Sequence, residues 1–297
     1  MEKYDIVVIG AGPAGLTAAL YALRAGYKVL TLESKAVGGQ IVNSTKIKNY
    51  PAVIEISGPD FAKNLRTQVE SYGGIIKLEK AESVISNGEG WMVKTDMEEE
   101  YSAAAVILAT GATPRALDLP NEERLVGRGV SYCATCDGNF YKDKIVAVNG
   151  GGNTALYDAL YLADLAEKVY LIHRRDEFRG DKALVEQLSQ KDNVEFVLSA
   201  QISKIVGDEH LEKIILDNGR ELTVDGLFVA VGYKPQNEIF KEVVALDEDG
   251  YIKTEDGVHT SAKRIYVAGD ARKKELKQLT TAVSDGAIAA TTAIQEM

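Results

Sequence analysis

Residues 10 to 33, GAGPAGLTAALYALRAGYKVLTLE, align without a gap onto residues 150 to 173, GGGNTALYDALYLADLAEKVYLIH, with eight identities in 24 positions and an offset of 140. Self-similarity at a fixed distance points to a duplicated supersecondary unit. Each copy follows a short apolar run, Tyr4 to Ile9 or Lys144 to Asn149, and leads through an apolar helix to a second run, Lys28 to Leu32 or Lys168 to Ile172. The pattern predicts β-α-β in both places. The turns carry G-x-G-x-x-G at Gly10, Gly12 and Gly15, and G-x-G-x-x-A at Gly150, Gly152 and Ala155. In such a turn the first glycine permits a tight bend and the second lets the backbone approach a pyrophosphate. The third position must be small so that the helix packs on its strand. The helix then aims its positive N-terminus at the phosphates. One motif alone is weak, but a strand before it, a helix after it and a second strand beyond make both copies dinucleotide-binding candidates.

The copies part where a ribose would sit, 23 residues past the first glycine. The first ends in Glu33, a carboxylate suited to accept hydrogen bonds from ribose hydroxyls, as in an NAD or FAD site. The second ends in His173, Arg174, Arg175, Asp176, Glu177, Phe178 and Arg179, where three guanidinium groups replace the carboxylate and suit a 2′-phosphate. One site reads as built for FAD and the other for NADPH. The alternative for the arginine run is a solvated basic patch at a strand end.

At 297 residues the chain is long enough for two domains of about 150 residues each. Apolar residues at 45%, with 27 Gly against 6 Pro, favour a compact globular protein over a disordered or collagen-like one. A formal charge of −10 argues against a duplex nucleic-acid binder, whose affinity rests on neutralising phosphates, so any basic site is local. Residues 6 to 23 carry no charge, but Gly10, Gly12, Pro13 and Gly15 break them into strand, turn and helix instead of a membrane span. Glu2 and Asp5 beside Lys3 do not suit a signal peptide, and the expected setting is the cytoplasm, away from membranes.

A second repeat sets the domain layout. VILATGATPRA at 106 to 116 and LFVAVGYKPQN at 227 to 237 each read as a buried strand, a Gly turn and a Pro shortly after. Taken as crossovers, they make the second dinucleotide fold an insertion in the first. The expected fold is α/β, with two Rossmann-like three-layer dinucleotide-binding domains, one of residues 1–113 and 242–297, the other of residues 114–241. Two short crossovers also offer a hinge.

The only cysteines, Cys133 and Cys136, lie in the second domain as C-x-x-C, followed by Asp137. Structural zinc takes four protein ligands, whereas the chain adds only His173, His210 and His259, none paired at ligand spacing, so no metal is expected. Two readings remain: inert buried thiols, or a redox dithiol that closes into a disulfide and whose thiolate attacks a partner disulfide. Asp137 suits a general acid for a departing thiolate; the alternative is an ordinary turn Asp before Gly138. Two nucleotide folds and a dithiol compose a path from nicotinamide through flavin to disulfide.

With these residues the chain resembles the low-molecular-weight thioredoxin reductases along nearly its whole length. The resemblance rests on GAGPAG at 10 to 15, GGQ at 38 to 40, ATGA at 109 to 112, CATCDG at 133 to 138, GGGNTA at 150 to 155, HRRDEFR at 173 to 179 and AGD at 268 to 270. A dithiol in the pyridine-nucleotide domain separates that family from the glutathione and lipoamide reductases, whose pair lies in the FAD domain. The resemblance implies FAD on Gly10, Gly12, Pro13, Ala14, Gly15, Glu33, Gly39, Gln40 and Asn49, on Ala109, Thr110 and Gly111, and on Gly269 and Asp270, with Gln278 and Ala282 by the flavin. NADPH would lie on Gly150, Gly152, Asn153, Thr154 and Ala155, with its 2′-phosphate at Arg174, Arg175 and Arg179 beside His173. By the same resemblance Cys136 faces the flavin, Cys133 attacks thioredoxin and Asp137 is the acid. It also implies a homodimer whose domains alternate between two orientations, turning at residues 113 to 116 and 233 to 237.

Three positions depart from the family pattern: Asn139 where an aromatic is usual, Ala52 where Gly commonly follows Asn-Tyr-Pro, and Lys277 where Arg often precedes the Gln. Two rival readings stand beside the implied activity. One is a related flavin disulfide reductase serving another redoxin or a peroxidase, or drawing on a donor other than NADPH. The other is a flavin-binding redox sensor without turnover, which has no need for a second nucleotide fold with three arginines.

Overall fold

The computed structural model describes residues 2–44, 46–88 and 90–297. The chain forms two compact units, Met1–Thr113 with Lys234–Met297, and Pro114–Tyr233. The first arm of the first unit runs β1 (Glu2–Ile9), α1 (Pro13–Arg24), β2 (Val29–Leu32), α2 (Gly58–Ser71), β3 (Ile75–Lys77), β4 (Ala81–Ser86), β5 (Trp91–Thr95), β6 (Glu100–Leu108) and β7 (Ala112–Pro114). The inserted unit continues with β8 (Val130–Ser131), α3 (Ala134–Asp137), β9 (Ile145–Asn149), α4 (Asn153–Ala163), β10 (Lys168–Ile172), α5 (Lys182–Ser189), β11 (Val194–Val197), β12 (Ile202–Val206), β13 (Lys213–Leu216), β14 (Glu221–Thr223) and β15 (Gly226–Val229). The return begins with β16 (Tyr233–Pro235) and ends with β17 (Ile265–Val267) and α6 (Leu279–Glu296). Strand β16 pairs with β7. That two-stranded ribbon carries the chain out and back, so the return falls at Lys234, ahead of the 242 boundary expected above.

In the first unit the strand order is β3-β2-β1-β6-β5-β4, with β17 also on β6. Strand β1 lies between two parallel neighbours, β2 and β6. Both its faces are covered, which is why it reads as a continuous apolar run instead of alternating. Ile6 and Val8 pack into one core with Leu16, Ala18, Ala289 and Ala293, while Val7 and Ile9 enter a second with Leu30, Val93, Tyr101 and Phe240. Strand β6 serves two partners in turn. Its start pairs antiparallel with β5, as Ala103 with Trp91, and its end pairs parallel with β17, as Leu108 with Val267. Because Leu108 also pairs with Ile9, the C-terminal ends of β1, β6 and β17 come out side by side. Strand order runs outward from β1 in opposite directions, to β2 and β3 on one side and to β6 on the other, and such a switch point is where open α/β sheets bind ligands.

The inserted unit has an all-parallel sheet of order β11-β10-β9-β15-β8. Val146 and Val148 face α4 and α5 through Leu156, Ala159 and Leu188. Ala147 and Leu227 face the antiparallel sheet β12-β13-β14 through Ile205, Ile214 and Leu222. Helix, parallel sheet and antiparallel sheet make the three layers. Among the described residues no helix is long and apolar enough to cross a membrane.

Candidate active site: two glycine loops and a dithiol turn

The first loop is built by close backbone contact. Gly10 has φ +109°, and a Cβ there would stand 2.3 Å from the Ala109 carbonyl oxygen, so only glycine lets the end of β6 lie against the turn. A Cβ on Gly15 would stand 1.9 Å from the Gly10 carbonyl oxygen, which is the helix-to-strand packing the motif demands. Gly12 instead faces space, its nearest neighbour being the Gly39 Cα at 4.0 Å from an added Cβ. Gly12 caps α1 without any side-chain hydrogen bond, and Pro13 occupies the first turn, where it loses no helical bond. Glu33, just past β2, accepts the Ala11 N–H at 2.8 Å and the Lys35 N–H at 2.9 Å, which fixes its carboxylate across the loop. Gln40 donates its amide to the Ala112 carbonyl oxygen.

The end of β17 brings the remaining residues of this unit to the same edge. The Ala268 N–H donates to Leu108 O at 2.9 Å. A Cβ on Gly269 would stand 2.8 Å from the Ala14 Cβ and 4.0 Å from the Ala282 Cβ, so the turn, α1 and α6 converge. Gln278 caps α6 in a reciprocal pair with Thr281, and its side-chain oxygen accepts the Asn49 amide at 3.0 Å. Asp270 Oδ1 is buried with no hydrogen bond aligned on it, and Lys274 Nζ lies 3.3 Å away as an ion pair. Thr110 donates to Asn237 Oδ1 at 2.8 Å.

Motifs do not point to three residues that hold this edge. Asp285 accepts the Gly269 N–H at 3.0 Å, Arg272 through Nε at 3.1 Å and Nη2 at 2.9 Å, and Lys274 at 3.2 Å. Asn237 is wholly buried and donates to Gly250 O at 3.0 Å and Ala271 O at 2.7 Å. Gly286 comes so close to α1 that a Cβ would stand 2.2 Å from Ala14 O. The signal available was a lone carboxylate followed by glycine inside the apolar run TTAVSDGAIAA. A charge amid helical alanines needs buried partners.

In the second loop a Cβ on Gly150 would stand 2.4 Å from Ala230 O, while Gly152, the N-cap of α4, has nothing within 4 Å. Ala155 is buried and packs under Gly150. The middle residue Gly151, absent from the motif reading, is forced too: a Cβ there would stand 2.2 Å from the His173 ring. The Gly151 carbonyl accepts the N–H groups of Arg179 at 2.7 Å and Gly180 at 3.1 Å, and Asn153 Oδ1 accepts the Asp181 N–H at 2.7 Å. The run from His173 to Arg179 is thereby tied to the glycine loop, with Thr154 exposed in the first turn of α4. His173 is buried and stacks on Phe178, with ring centres 5.6 Å apart. Burial first, then Arg179, Arg175 and Arg174, pull its pKa below the ordinary value, and its Nε2 is buried without a partner. All three arginines are exposed.

Both glycine-capped helices therefore fit a dinucleotide phosphate group. Elsewhere the chain caps helices with side chains, Ser57 accepting Asp60 N–H on α2 and Asp181 accepting Ala183 N–H on α5. At α1 and α4 that cap is missing and open space stands in its place. Uncapped N–H groups at a helix start favour an anion.

Cys133 and Cys136 are joined by a disulfide in the turn of α3. The Cys133 carbonyl accepts the N–H groups of Cys136 at 3.2 Å and Asp137 at 3.1 Å, closing the turn. Burial pushes the Asp137 carboxyl above the ordinary range, opposed by a 2.7 Å hydrogen bond from Ser131. Burial that favours the protonated form suits a carboxyl to donate a proton. Among the described residues no three His, Cys, Asp or Glu side chains gather as a metal site. The three departures also find local explanations. Asn139 donates to the Tyr161 hydroxyl at 3.3 Å, Lys277 donates to the Tyr251 hydroxyl at 2.5 Å, and Ala52 takes φ +68°, a conformation glycine adopts without cost.

The family pattern of the pyridine nucleotide-disulphide oxidoreductases matches residues 4–286. A thioredoxin reductase of Peptoclostridium acidaminophilum is 42% identical over 302 residues, covering 98% of this chain and 96% of that protein. The crystal structure of thioredoxin reductase from Streptococcus pyogenes superposes with a TM-score of 0.91 at 38% identity, covering 99% of this chain and 98% of the other. A ferredoxin-flavin thioredoxin reductase from Clostridium acetobutylicum is 34% identical with a TM-score of 0.54, covering 99% and 98%. Matched over residues 4–286 and covered almost end to end by these relatives, the chain belongs to the pyridine nucleotide-disulphide oxidoreductases, on their thioredoxin reductase branch.

Proposed function

We propose that this chain is an NADPH-dependent flavoprotein that reduces the disulfide of thioredoxin. One observation carries the reading: the Cys133–Cys136 disulfide sits beside the buried acid Asp137 in the same unit as a glycine loop flanked by three exposed arginines. FAD, when bound, supplies a carrier that takes a hydride from a nicotinamide and gives two electrons to a disulfide. The chain's own residues do the holding. The start of α1 with Gly12 receives the FAD pyrophosphate, Glu33 accepts from ribose hydroxyls, and Asp270 offers Oδ1, which accepts no hydrogen bond, to a further hydroxyl. The start of α4 receives the NADPH pyrophosphate, and Arg174, Arg175 and Arg179 receive the 2′-phosphate. His173, buried and with its pKa lowered, leaves the anion to the guanidinium groups.

After reduction, the Cys133 thiolate attacks the thioredoxin disulfide to form a mixed disulfide. Cys136 then attacks Cys133, releasing reduced thioredoxin and restoring the disulfide. On family grounds we read the enzyme as a cytoplasmic homodimer, with its FAD domain formed by the two outer segments and its NADPH domain by the insertion. A second reading, electron entry from a donor other than a nicotinamide, has one observation in its favour: the ferredoxin-flavin relative at 34% identity.

Anaerobic titration of the purified holoenzyme separates them. Bleaching of the flavin band by NADPH, with NADH much slower, and its return on adding oxidised thioredoxin is the expected result. A flavin that ignores both nicotinamides but reoxidises with thioredoxin after chemical reduction would select the second reading.

A further inference from the structure

Ser131 ends β8, two residues before the dithiol, and is 3% exposed. Its hydroxyl has one proton and two lone pairs. Oγ accepts the Cys133 N–H at 3.1 Å and lies 2.7 Å from Asp137 Oδ2. The other acceptor within reach is the Cys133 carbonyl oxygen, at 3.4 Å and already holding the N–H groups of Cys136 and Asp137. At 2.7 Å the Oδ2 contact has the ordinary length of an O–H···O bond, whereas 3.4 Å is too long to compete. The hydroxyl proton therefore goes to Asp137 Oδ2. In a neutral carboxyl the carbonyl oxygen is the stronger acceptor, so the bond from Ser131 favours Oδ2 as that oxygen and Oδ1 as the one bearing the acid proton.

We infer that Ser131 is a positioning residue for proton delivery to the dithiol, holding Asp137 Oδ2 as acceptor so that Oδ1 bears the proton, and tying that carboxyl to the backbone of Cys133. The inference rests on the reading of Asp137 as the acid. When the Sγ–Sγ bond takes up the two electrons that NADPH provides, it breaks. One sulfur remains a thiolate, the other takes the Oδ1 proton to become a thiol, and Asp137 is left as a carboxylate. The Ser131 hydroxyl, already aimed at that carboxylate, stabilises the product charge with a charge-assisted bond.

Of the groups on the elements packed around Asp137, the other carboxyl that burial raises is Asp158 of α4, to about 7, and the phenols are Tyr141 and Tyr161. Tyr141, in the turn after α3, is pushed up to about 12 by burial first and then by the carboxylates of Asp137 and Asp225. Tyr161 of α4 packs on Gly138 and receives the Asn139 amide. Tyr141 is thus no acid for neutral solution, and the two cysteines are the acceptors.

The test is rapid anaerobic reduction of the holoenzyme by NADPH, counting thiols released from the disulfide, between about pH 5 and about pH 10 for the wild type and three variants. Ser131→Ala removes the bond that favours the carboxylate, so the pH limb of dithiol formation is expected to move up by about one unit. Ser131→Thr, which keeps a hydroxyl, is expected to return the limb to its wild-type position. Asp137→Asn is expected to abolish the limb and slow dithiol formation at least about tenfold, within the usual worth of a general acid. A limb unmoved in Ser131→Ala but absent in Asp137→Asn would overturn the role of Ser131 while leaving the acid standing. A limb that persists in Asp137→Asn would overturn the acid reading itself, and with it this inference. Flavin content of each variant, measured beforehand, reports on folding.

Discussion

Lys274 Nζ stands 3.2 Å from Asp285 Oδ2, with both side chains 7% exposed. An ammonium and a carboxylate so far from water stabilise each other only if both stay, and loss of one partner leaves an uncompensated charge. Arg272 shares the carboxylate, and Lys274 reaches on to Asp270 at 3.3 Å, so two cations and two carboxylates hold the turn after β17. Asp285→Ala is expected to cost about 3–5 kcal/mol in urea unfolding of the holoenzyme. The variant is also expected to lose FAD on gel filtration where the wild type keeps it. Unfolding within about 0.5 kcal/mol of the wild type, the range of an ordinary surface change, would show the cluster to be ornamental.

That cluster marks the limit of what the sequence makes legible. Gly10, Gly12, Glu33, the arginines and the C-x-x-C lie in short windows where spacing alone encodes chemistry, and the repeat at offset 140 separates the two nucleotide folds before any element is assigned. Asp285 acts on Gly269 from another element, and Thr110 meets Asn237 across |i−j| = 127. Contacts of that kind follow from the pairing of β6 with β17, which no local pattern announces. Gly151 looked like a free middle residue because its constraint comes from His173, beyond the far end of β10. The antiparallel layer β12-β13-β14 escaped for another reason. Its strands are only three to five residues long, too short for periodicity to distinguish from loops.

Arg174 and Arg175 leave β10 exposed and next to a histidine kept neutral. A charge-assisted hydrogen bond contributes about 1.5–3 kcal/mol, so the Arg174→Ala, Arg175→Ala double variant is expected to narrow the NADPH-over-NADH ratio of kcat/KM by at least about tenfold. The loss belongs in KM for NADPH, because the phosphate is equally bound before and during hydride transfer. NADH kinetics serve as the control. A ratio unchanged from the wild type would remove both residues from the phosphate site.

Cys133 and Cys136 close one disulfide, and each has a separate task in exchange. Cys136→Ser is expected to abolish thioredoxin reduction while NADPH still bleaches the flavin, since hydride transfer precedes the dithiol. Cys133→Ser is expected to do the same for turnover. Thioredoxin reduction persisting at even about a tenth of the wild-type rate in either variant would mean that electrons leave by a route other than this pair.

His259 is clamped between carboxylates from two parts of the first unit. Its Nδ1 lies 2.7 Å from Asp256, its Nε2 lies 2.8 Å from Glu296 Oε1, and Glu296 Oε2 accepts the Tyr266 hydroxyl at 2.6 Å. Both nitrogens can donate at once only in the imidazolium form. Glu296 first, and then Asp256, raise the His259 pKa above the ordinary 6.5. His259 holds Asp256 below the ordinary 3.8, while Tyr266 first and then His259 hold Glu296 below 4.5. A raised histidine contributes fully below its unfolded pKa and loses its contribution as pH rises through the folded one. The lowered carboxylates contribute above their unfolded values and lose that as pH falls through the folded ones. The clamp on the last turn of α6 is therefore strongest between about pH 4.5 and about pH 6.5 and fades in alkali. His259→Gln is expected to lower the Tm of the holoenzyme most near pH 6, with the gap to wild type closing by about pH 9. A gap of constant size from acid to alkali would mean that His259 contributes by packing on Tyr266 and not by its charge.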